Sequence, residues 1–436
     1  MGESATVRAR RSKTILVLYY ARGVYPLRNA IETHLYCWRR YSKHEVLYVN
    51  VRFGFPKQLI ERLRIDVILF HTMFLGLRWS PELFKKYARK CAALRSVGCV
   101  KIAMPQDEFL NTELLNDFIL DYGVTDLWTC ASEADWPLIY DRIDRSKVRM
   151  RTVLTGYLDE DTVARINRKK RLGIQRDIDV GYRAWKAEYW LGAHGQHKAR
   201  IAGVFEAACR ARGLKADIST RNEDVLAGDA WFDYLLRCRS TIGVAGGASV
   251  LDRRGAIRQR VDTYLATHPG ATFEQTREDC FRGQDPTLGL ACISPRHLEA
   301  CATETLQFLV EGTFNGILHP WRHYVPIESD YSNVGEALGI LAHEEKMKEI
   351  TTQAYRDIVA SQRWSYRHFV EELEREVIDP PAGSVRARVL QRLIGAALRG
   401  RDRLSWQFIR FEVWFLSRPA RRRFARSVGR LWGHSS

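Results

Sequence analysis

The chain has 436 residues, 46% hydrophobic and 27% charged, and carries a formal net charge of +17 at pH 7. That length exceeds one small core and predicts two domains of about 150 to 200 residues each, while the composition excludes a disordered chain. No apolar run approaches the roughly 18 residues of a spanning helix, and the basic N-terminus leads into a short run, ILVLYY, without a secretory pattern.

The charge sits at the ends. From Gly383 to Ser436 thirteen arginines and no lysine stand against Asp402 and Glu412, and Arg8, Arg10, Arg11 and Lys13 stand against Glu3. The body between them is close to neutral, so the basic balance describes the termini rather than the fold. Nine scattered cysteines with no CxxC pair are expected to be free thiols in a reducing cytosol, with neither a zinc site nor a disulfide framework.

After the basic segment 1–12, the chain alternates short β-rich runs with helical patterns. Runs at 13–20, 45–51, 66–71, 100–104 and 126–130 are separated by segments such as 81–94, whose apolar residues recur at helical intervals. This alternation predicts a parallel sheet covered by helices on both faces, with ligands beyond the carboxyl ends of the strands. It makes 13–160 one domain and the charged stretch 161–177 a linker. A second series follows at 178–182, 214–219, 240–244, 306–310 and 324–327, and the domain it forms extends to residue 380. The fold class is therefore α/β, with two Rossmann-like domains facing each other across a cleft. Residues 333–376 read as helical, with Asn333 and Ser365 as candidate caps, and Pro380 and Pro381 end the series.

Beyond them, 381–436 reads as an Arg-rich amphipathic tail. Val385, Val389, Leu390, Leu393, Ile394, Ala397 and Leu398 are expected on one helical face, with aromatic residues continuing the apolar supply. Such a helix fits an anionic membrane surface. RNA binding or a merely solvated extension are the competing readings, and no nucleic-acid partner is expected because the apolar face exceeds what a binding arm needs.

Several residues carry chemistry at strand ends. Gly246 and Gly247, followed by Ser249, form a turn whose N–H groups can approach a phosphate, although a tight turn without ligand needs glycine equally. Arg183 and Lys186 follow the first strand of the second domain and Lys198 lies near the next helix start, where cations can clamp a diphosphate or remain solvated. Glu299, between Leu298 and Ala300, suits a partly buried carboxylate accepting two hydroxyls, or an ordinary first-turn glutamate. In the first domain His71, Asp107 and Glu108 stand at strand ends as general-base candidates. Asp107 and Glu108 point different ways, so at most one faces the cleft.

The two series, the segment 246–255 (GGASVLDRRG) and the stretch LEACATETLQFLVEGTFNGILHPWRHYVPI resemble glycosyltransferases of the GT-B fold. Within that fold they are most similar to bacterial proteins with a C-terminal glycosyl-transferase family 1-like domain. The likeness is strongest over 178–375. It implies transfer of a sugar from a nucleotide-sugar to an acceptor hydroxyl, the donor on the second domain and the acceptor on the first; the expected acceptor is a glycan or a lipid-linked acceptor. It also implies that no metal or other cofactor is needed. By this resemblance Glu299 matches the ribose-binding glutamate, Arg183, Gly246 and Gly247 border the phosphates, and Thr313 to Gly316 lie near the donor. A paired glutamate common in relatives eight residues earlier is Ala291 here, so the resemblance assigns no stereochemistry. The expected enzyme is cytoplasmic and peripheral on the inner membrane face. An epimerase of the same fold and a non-enzymatic scaffold are the alternatives.

Overall fold

Every apolar run expected as a strand is one. The computed structural model describes residues 12–22, 29–286, 288–378 and 388–416, so all but the last residue of the expected basic segment 1–12, the whole 379–387 connection and residues 417–436 lie outside the described residues. The first sheet contains β1 (Thr14–Tyr19), β2 (Glu45–Asn50), β3 (Val67–Phe70), β4 (Val100–Ala103), β5 (Asp126–Thr129) and β6 (Arg149–Thr152). All are parallel, in the order β2-β1-β3-β4-β5-β6. Successive residues of β1 serve opposite layers: Leu16 and Leu18 join Leu47, Val49 and Phe70, whereas Ile15, Val17 and Tyr19 join Val46, Tyr48 and Leu69. Burial on both faces is why these strands read as unbroken apolar runs. The edge strand β6, RMRT, lacks that signal; Arg149 reaches back to the buried Asp126 at 2.9 Å.

The second sheet begins with β7 (Ile178–Arg183), β8 (Ala216–Ser219) and β9 (Cys238–Gly243). A two-stranded antiparallel ribbon follows, formed by β10 (Gly246–Gly247) and β11 (Ala291–Cys292), and the sheet resumes with β12 (Leu306–Val310) and β13 (Val325–Ile327). Its order is β13-β12-β9-β7-β8, again parallel. In both sheets the first strand has the second on one side and the third on the other. The connections therefore leave in opposite directions between β1 and β3 and between β7 and β9, opening a crevice at the strands' carboxyl ends.

Two later segments return to the first domain. Residues 248–290 pack Ala248, Val250, Ile257, Phe281 and Leu290 into the core beside Leu110 and Phe109. A bridge between Leu110 and Asp252, with Asn111 N–H donating to the Asp252 carbonyl at 2.7 Å, stitches this excursion to the loop after β4. The stretch expected as one helical region is broken into several helices; Ser365 caps the one at Tyr366–Leu373, whereas Asn333 makes no side-chain cap. Phe369, Val370 and Leu373 of that helix pack on the face of the first sheet that holds Trp38 and Trp128.

The terminal helix Arg388–Leu416 corrects the expectation of a tail with a single apolar face. Ile394 and Leu398 enter one layer of the first domain and Trp406 and Ile409 the other, so the helix closes over the edge strand β2. An edge left open would present unpaired backbone groups to other chains. Asp402, buried, accepts from Tyr19 Oη at 2.8 Å, Tyr36 Oη at 3.1 Å and Arg39 Nη2 at 2.9 Å. Arg52 grips Glu412 with two bonds of 2.6 and 2.7 Å, and Arg399 meets Glu45 at 2.7 Å. Leu393 and Ala397, expected beside Ile394 and Leu398, face outward instead.

Candidate functional site

A cavity of about 290 Å3 opens at the crevice between β7 and β9. Tyr182, Arg183 and Ala184 come from the end of β7, and Thr241 to Val244 from the end of β9. The helix Asp229–Arg237 contributes Trp231, and the helix Pro295–Ala302 contributes Arg296, His297 and Glu299. Pro295 starts that last helix at a position where a missing N–H costs nothing, and the turn that follows it brings Glu299 to the rim.

Glu299 is half-buried, and its Oε2 accepts a hydrogen bond from Trp231 Nε1 at 2.8 Å. The indole fixes the carboxylate's direction. Above the same ring lies the Arg296 guanidinium, 5.3 Å from its centroid, and Arg296 also donates to the Arg183 carbonyl. Across the cavity Lys198 Nζ stands 5.1 Å from the Trp185 ring. His297 is buried between Gln307 and the Val244 carbonyl, each 3.2 Å away, and burial pushes its pKa down to about 4. It is thus neutral, a wall of the cavity rather than a cation.

The expected donor residues fare differently. Arg183 lines the cavity, but its guanidinium forks onto both oxygens of Asp217 at 2.8 Å and lies 4.4 Å from the Tyr234 ring, so its charge is matched within the protein. Lys186 is exposed, 5.9 Å from the Tyr189 ring, and is not among the residues lining the cavity. Gly246 forms part of the wall. Gly247 has φ 132°, and a Cβ there would lie 1.9 Å from the Leu290 carbonyl oxygen, so the β10–β11 ribbon itself requires this glycine. Ser249 is buried away from the cavity; its hydroxyl donates to Asp285 at 2.6 Å and accepts from His194 N–H at 3.1 Å. Together with Asp285, which accepts from Ala193 N–H at 2.8 Å, it caps the helix Ala193–Ala211. Thr313 and Gly316 are exposed on the turn after β12 and do not line the cavity; Asn315 between them accepts from Ile293 N–H at 2.7 Å, next to β11.

In the first domain the base candidates separate. His71 is fully buried, not on the rim: its Nδ1 accepts from Met73 N–H at 3.1 Å, capping a short helix, and its Nε2 meets His34 Nδ1 at 2.9 Å. Burial and the neighbouring His34 hold its pKa well below 6.5, so the pair is neutral. Glu108 is likewise buried, accepting from Thr129 Oγ1 at 2.6 Å and Cys130 N–H at 2.8 Å. Asp107 alone reaches solvent. It has a left-handed backbone, φ 56°, and the buried Arg78 clamps its carbonyl together with those of Gln106 and Leu110. Burial raises the pKa of Cys292 in the second domain, and the Asp107 charge raises it further. Crowding by the surrounding protein raises the pKa of Asp107, opposed by Arg78 and Lys198.

Trp231, Arg296 and Trp185 were not singled out in the sequence. A signal for Arg296 existed, because an arginine directly after a helix-starting proline at a strand-end loop is well placed for an anion; Trp231 and Trp185 carry none that separates them from core aromatics.

No protein-family model matches the chain, and no curated protein matches it. Among solved structures the chain is similar to an alpha-glucosyltransferase in complex with UDP-glucose and DNA containing an abasic site, with 9% identity over 85% of this chain and 100% of that one and a TM-score of 0.47. It is similar to the sucrose-phosphate synthase of Thermosynechococcus elongatus, with 8% identity, 83% and 98% coverage and a TM-score of 0.44. A third likeness is to HepE of Anabaena in complex with UDP, with 10% identity, 83% and 98% coverage and a TM-score of 0.42. Identities this low assign no residue of this chain a role.

Proposed function

We propose that this chain is a glycosyltransferase that moves a sugar from a nucleotide-sugar to an acceptor hydroxyl. The observation that carries the reading is the cavity at the β7–β9 crevice, where a carboxylate aimed by an indole stands beside a guanidinium in a partly aromatic pocket. A nucleoside diphosphate needs these parts: an acceptor for two ribose hydroxyls, an apolar slot for a base and cations for the diphosphate. At about 290 Å3 the cavity sits at the lower edge of the roughly 300–1,000 Å3 typical of small-molecule sites.

In this reading Glu299 holds the ribose and Arg296, with Lys198, stabilises the charge that develops on the leaving diphosphate, which is where preorganised cations lower a barrier most. Asp107, raised by crowding and standing across the cleft, takes the proton of the acceptor hydroxyl. The acceptor, a glycan or lipid-linked glycan, enters along the first domain. No resident metal is required, since the leaving-group charge is met by side chains. The test is incubation of the full chain with UDP-, GDP-, dTDP- and CMP-sugars, first in thermal shift and then with product analysis. A donor that raises the melting temperature and releases its nucleotide only when an acceptor is added supports transfer. An epimerised donor without acceptor would assign isomerase chemistry to the same cavity.

A further inference from the structure

The terminal helix carries an inward and an outward apolar stripe, and the outward one meets the first domain at Phe408, whose ring lies edge-on to Phe53 at 5.6 Å. Ile394, Leu398, Asp402, Ser405, Trp406 and Ile409 face the first domain and are buried. Leu393, Leu404, Phe408, Phe411 and Trp414 are 48–67% exposed, and these five make up half of the ten large hydrophobic residues exposed among the described residues. At about 100° per residue, Leu393, Leu404 and Phe411 fall on one line along the helix, with Phe408 and Trp414 roughly 60° to either side. The same arithmetic puts the exposed Arg392, Arg403 and Arg410 in a row along one flank of that line, roughly 80–100° from its centre. Arg410 approaches Glu32 only at 3.9 Å.

An isolated exposed leucine needs no explanation, but a continuous outward stripe on a folded protein marks a contact surface. Its flanking charge selects the partner. A second copy of this chain would set one arginine row against another, which repels. Nucleic acid gains from stacked aromatics but nothing from the Leu393–Leu404 line. A bilayer with anionic headgroups meets both features, because leucine and aromatic side chains enter the headgroup–acyl boundary while the arginines stay at the phosphates. The sequence that follows continues the same chemistry: residues 417–436 contain Arg418, Arg421, Arg422, Arg423, Arg426 and Arg430, no acidic residue, and Phe424, Leu431 and Trp432. No helix among the described residues is long and apolar enough to cross a membrane, so the contact is interfacial.

We propose that the outward stripe of the helix Arg388–Leu416 docks the protein flat on an anionic phospholipid surface, with the inward stripe welding that surface to the first domain. The stripe is separate from the donor cavity, so this inference and the transferase reading stand or fall independently.

The experiment is flotation of the full chain with phosphatidylcholine vesicles, with and without about one-third phosphatidylglycerol. The double variants are Leu404→Ser/Phe411→Ser, which removes apolar area, and Arg403→Glu/Arg410→Glu, which reverses charge. Melting temperature, sedimentation velocity and nucleotide binding are recorded for each. The wild type is expected to float with anionic vesicles and far less with neutral ones. Each double variant should lose about tenfold or more in partitioning, with unchanged melting temperature and nucleotide affinity. Binding by the Leu404→Ser/Phe411→Ser protein equal to wild type would overturn the proposal, since the remaining basic residues would then account for all of it. A change from dimer to monomer in that variant, without loss of flotation, would assign the stripe to self-association and overturn it as well.

Discussion

Replacing Glu299 separates what the carboxylate does for a ligand from what it does for the fold. Its Oε2 accepts the 2.8 Å bond from Trp231 Nε1, so Glu299→Gln keeps an oxygen for the indole while removing the charge and turning the other acceptor oxygen into an NH2 donor, whereas Glu299→Ala removes both oxygens. A hydrogen bond to a charged group contributes about 1.5–3 kcal/mol, and a neutral acceptor retains about half of that. Two ribose hydroxyls on the carboxylate therefore predict a loss of about 1.5–3 kcal/mol in Glu299→Gln, a rise in nucleotide Kd of roughly 10- to 150-fold. In Glu299→Ala both bonds are lost outright, about 3–6 kcal/mol or a rise of at least roughly 100-fold, and Trp231 is also freed to turn into the cavity. Calorimetric titration with the nucleoside diphosphate that stabilises the wild type measures both. The reasoning is refuted if Glu299→Ala binds that nucleotide as tightly as wild type, and a lowered melting temperature with unchanged Kd would mark Glu299 as a packing residue for Trp231.

Asp107→Asn keeps the size of the side chain in the cleft and removes its basicity; transfer is expected to fall by about 10²- to 10⁴-fold while nucleotide affinity stays within about twofold of wild type, both read in one coupled assay. Acid should destabilise the fold from a definite direction: burial lowers the pKa of His34 and His297 to about 4 and of His71, His194, His197 and His323 below 6.5. Such groups contribute stability in full above the unfolded value near 6.5, and it is lost as pH falls toward the folded values, at about 1.4 kcal/mol per pH unit for each deeply shifted histidine. Asp107, crowded by the surrounding protein, and the buried Glu108 have raised pKa values and act oppositely but are two against six, so the urea midpoint is expected to drop between pH 7.5 and 5.5, and a flat profile would contradict the assignment. Asp402→Ala strands the donors of Tyr19, Tyr36 and Arg39. Its cost should be about 3–5 kcal/mol, and loss of the 388–416 helix from the first domain should appear as faster amide exchange in β2.

What the sequence made legible follows from burial. Strands covered on both faces are forced to be continuously apolar, and each such run became a strand of the expected sheet. Strand β6 was hidden because an edge strand held by Arg149–Asp126 needs no apolar run. The two ends of the crevice differ in the same way. The place of Glu299 at the cavity was legible because its neighbours Leu298 and Ala300 are core residues that fix the helix face. Arg183 and Lys186 could not be ranked, since nothing in the chain announces that Asp217, 34 positions later, matches the first or that the second lies outside the cavity. His71 illustrates a different limit: a histidine after a strand looks alike whether it meets solvent or a second buried histidine, and His34 comes from a helix that periodicity places only as a whole. In the terminal helix, periodicity identified apolar residues but not their partition, because Leu393 and Ile394 are neighbours in sequence and about 100° apart on the helix.

The cavity's electrostatics depend on a segment that the sheet pattern leaves out. A helix beginning beside a crevice offers N–H groups and a partial positive charge to an anion, and the helix Ala193–Ala211 begins there. Its first N–H groups are already taken, Ala193 by Asp285 at 2.8 Å and His194 by Ser249 at 3.1 Å, and Ser249 in turn donates to Asp285. Asp285 belongs to the 248–290 excursion that packs into the first domain, so the carboxylate neutralising this helix end is fixed by contacts across the cleft. With that end occupied and Arg183 matched by Asp217, a diphosphate in the cavity would depend on cations that rest on aromatic faces, Arg296 over Trp231 and Lys198 over Trp185. The same arrangement places Trp231 at the centre of the site, since one indole aims the carboxylate through its N–H and carries the guanidinium on its face.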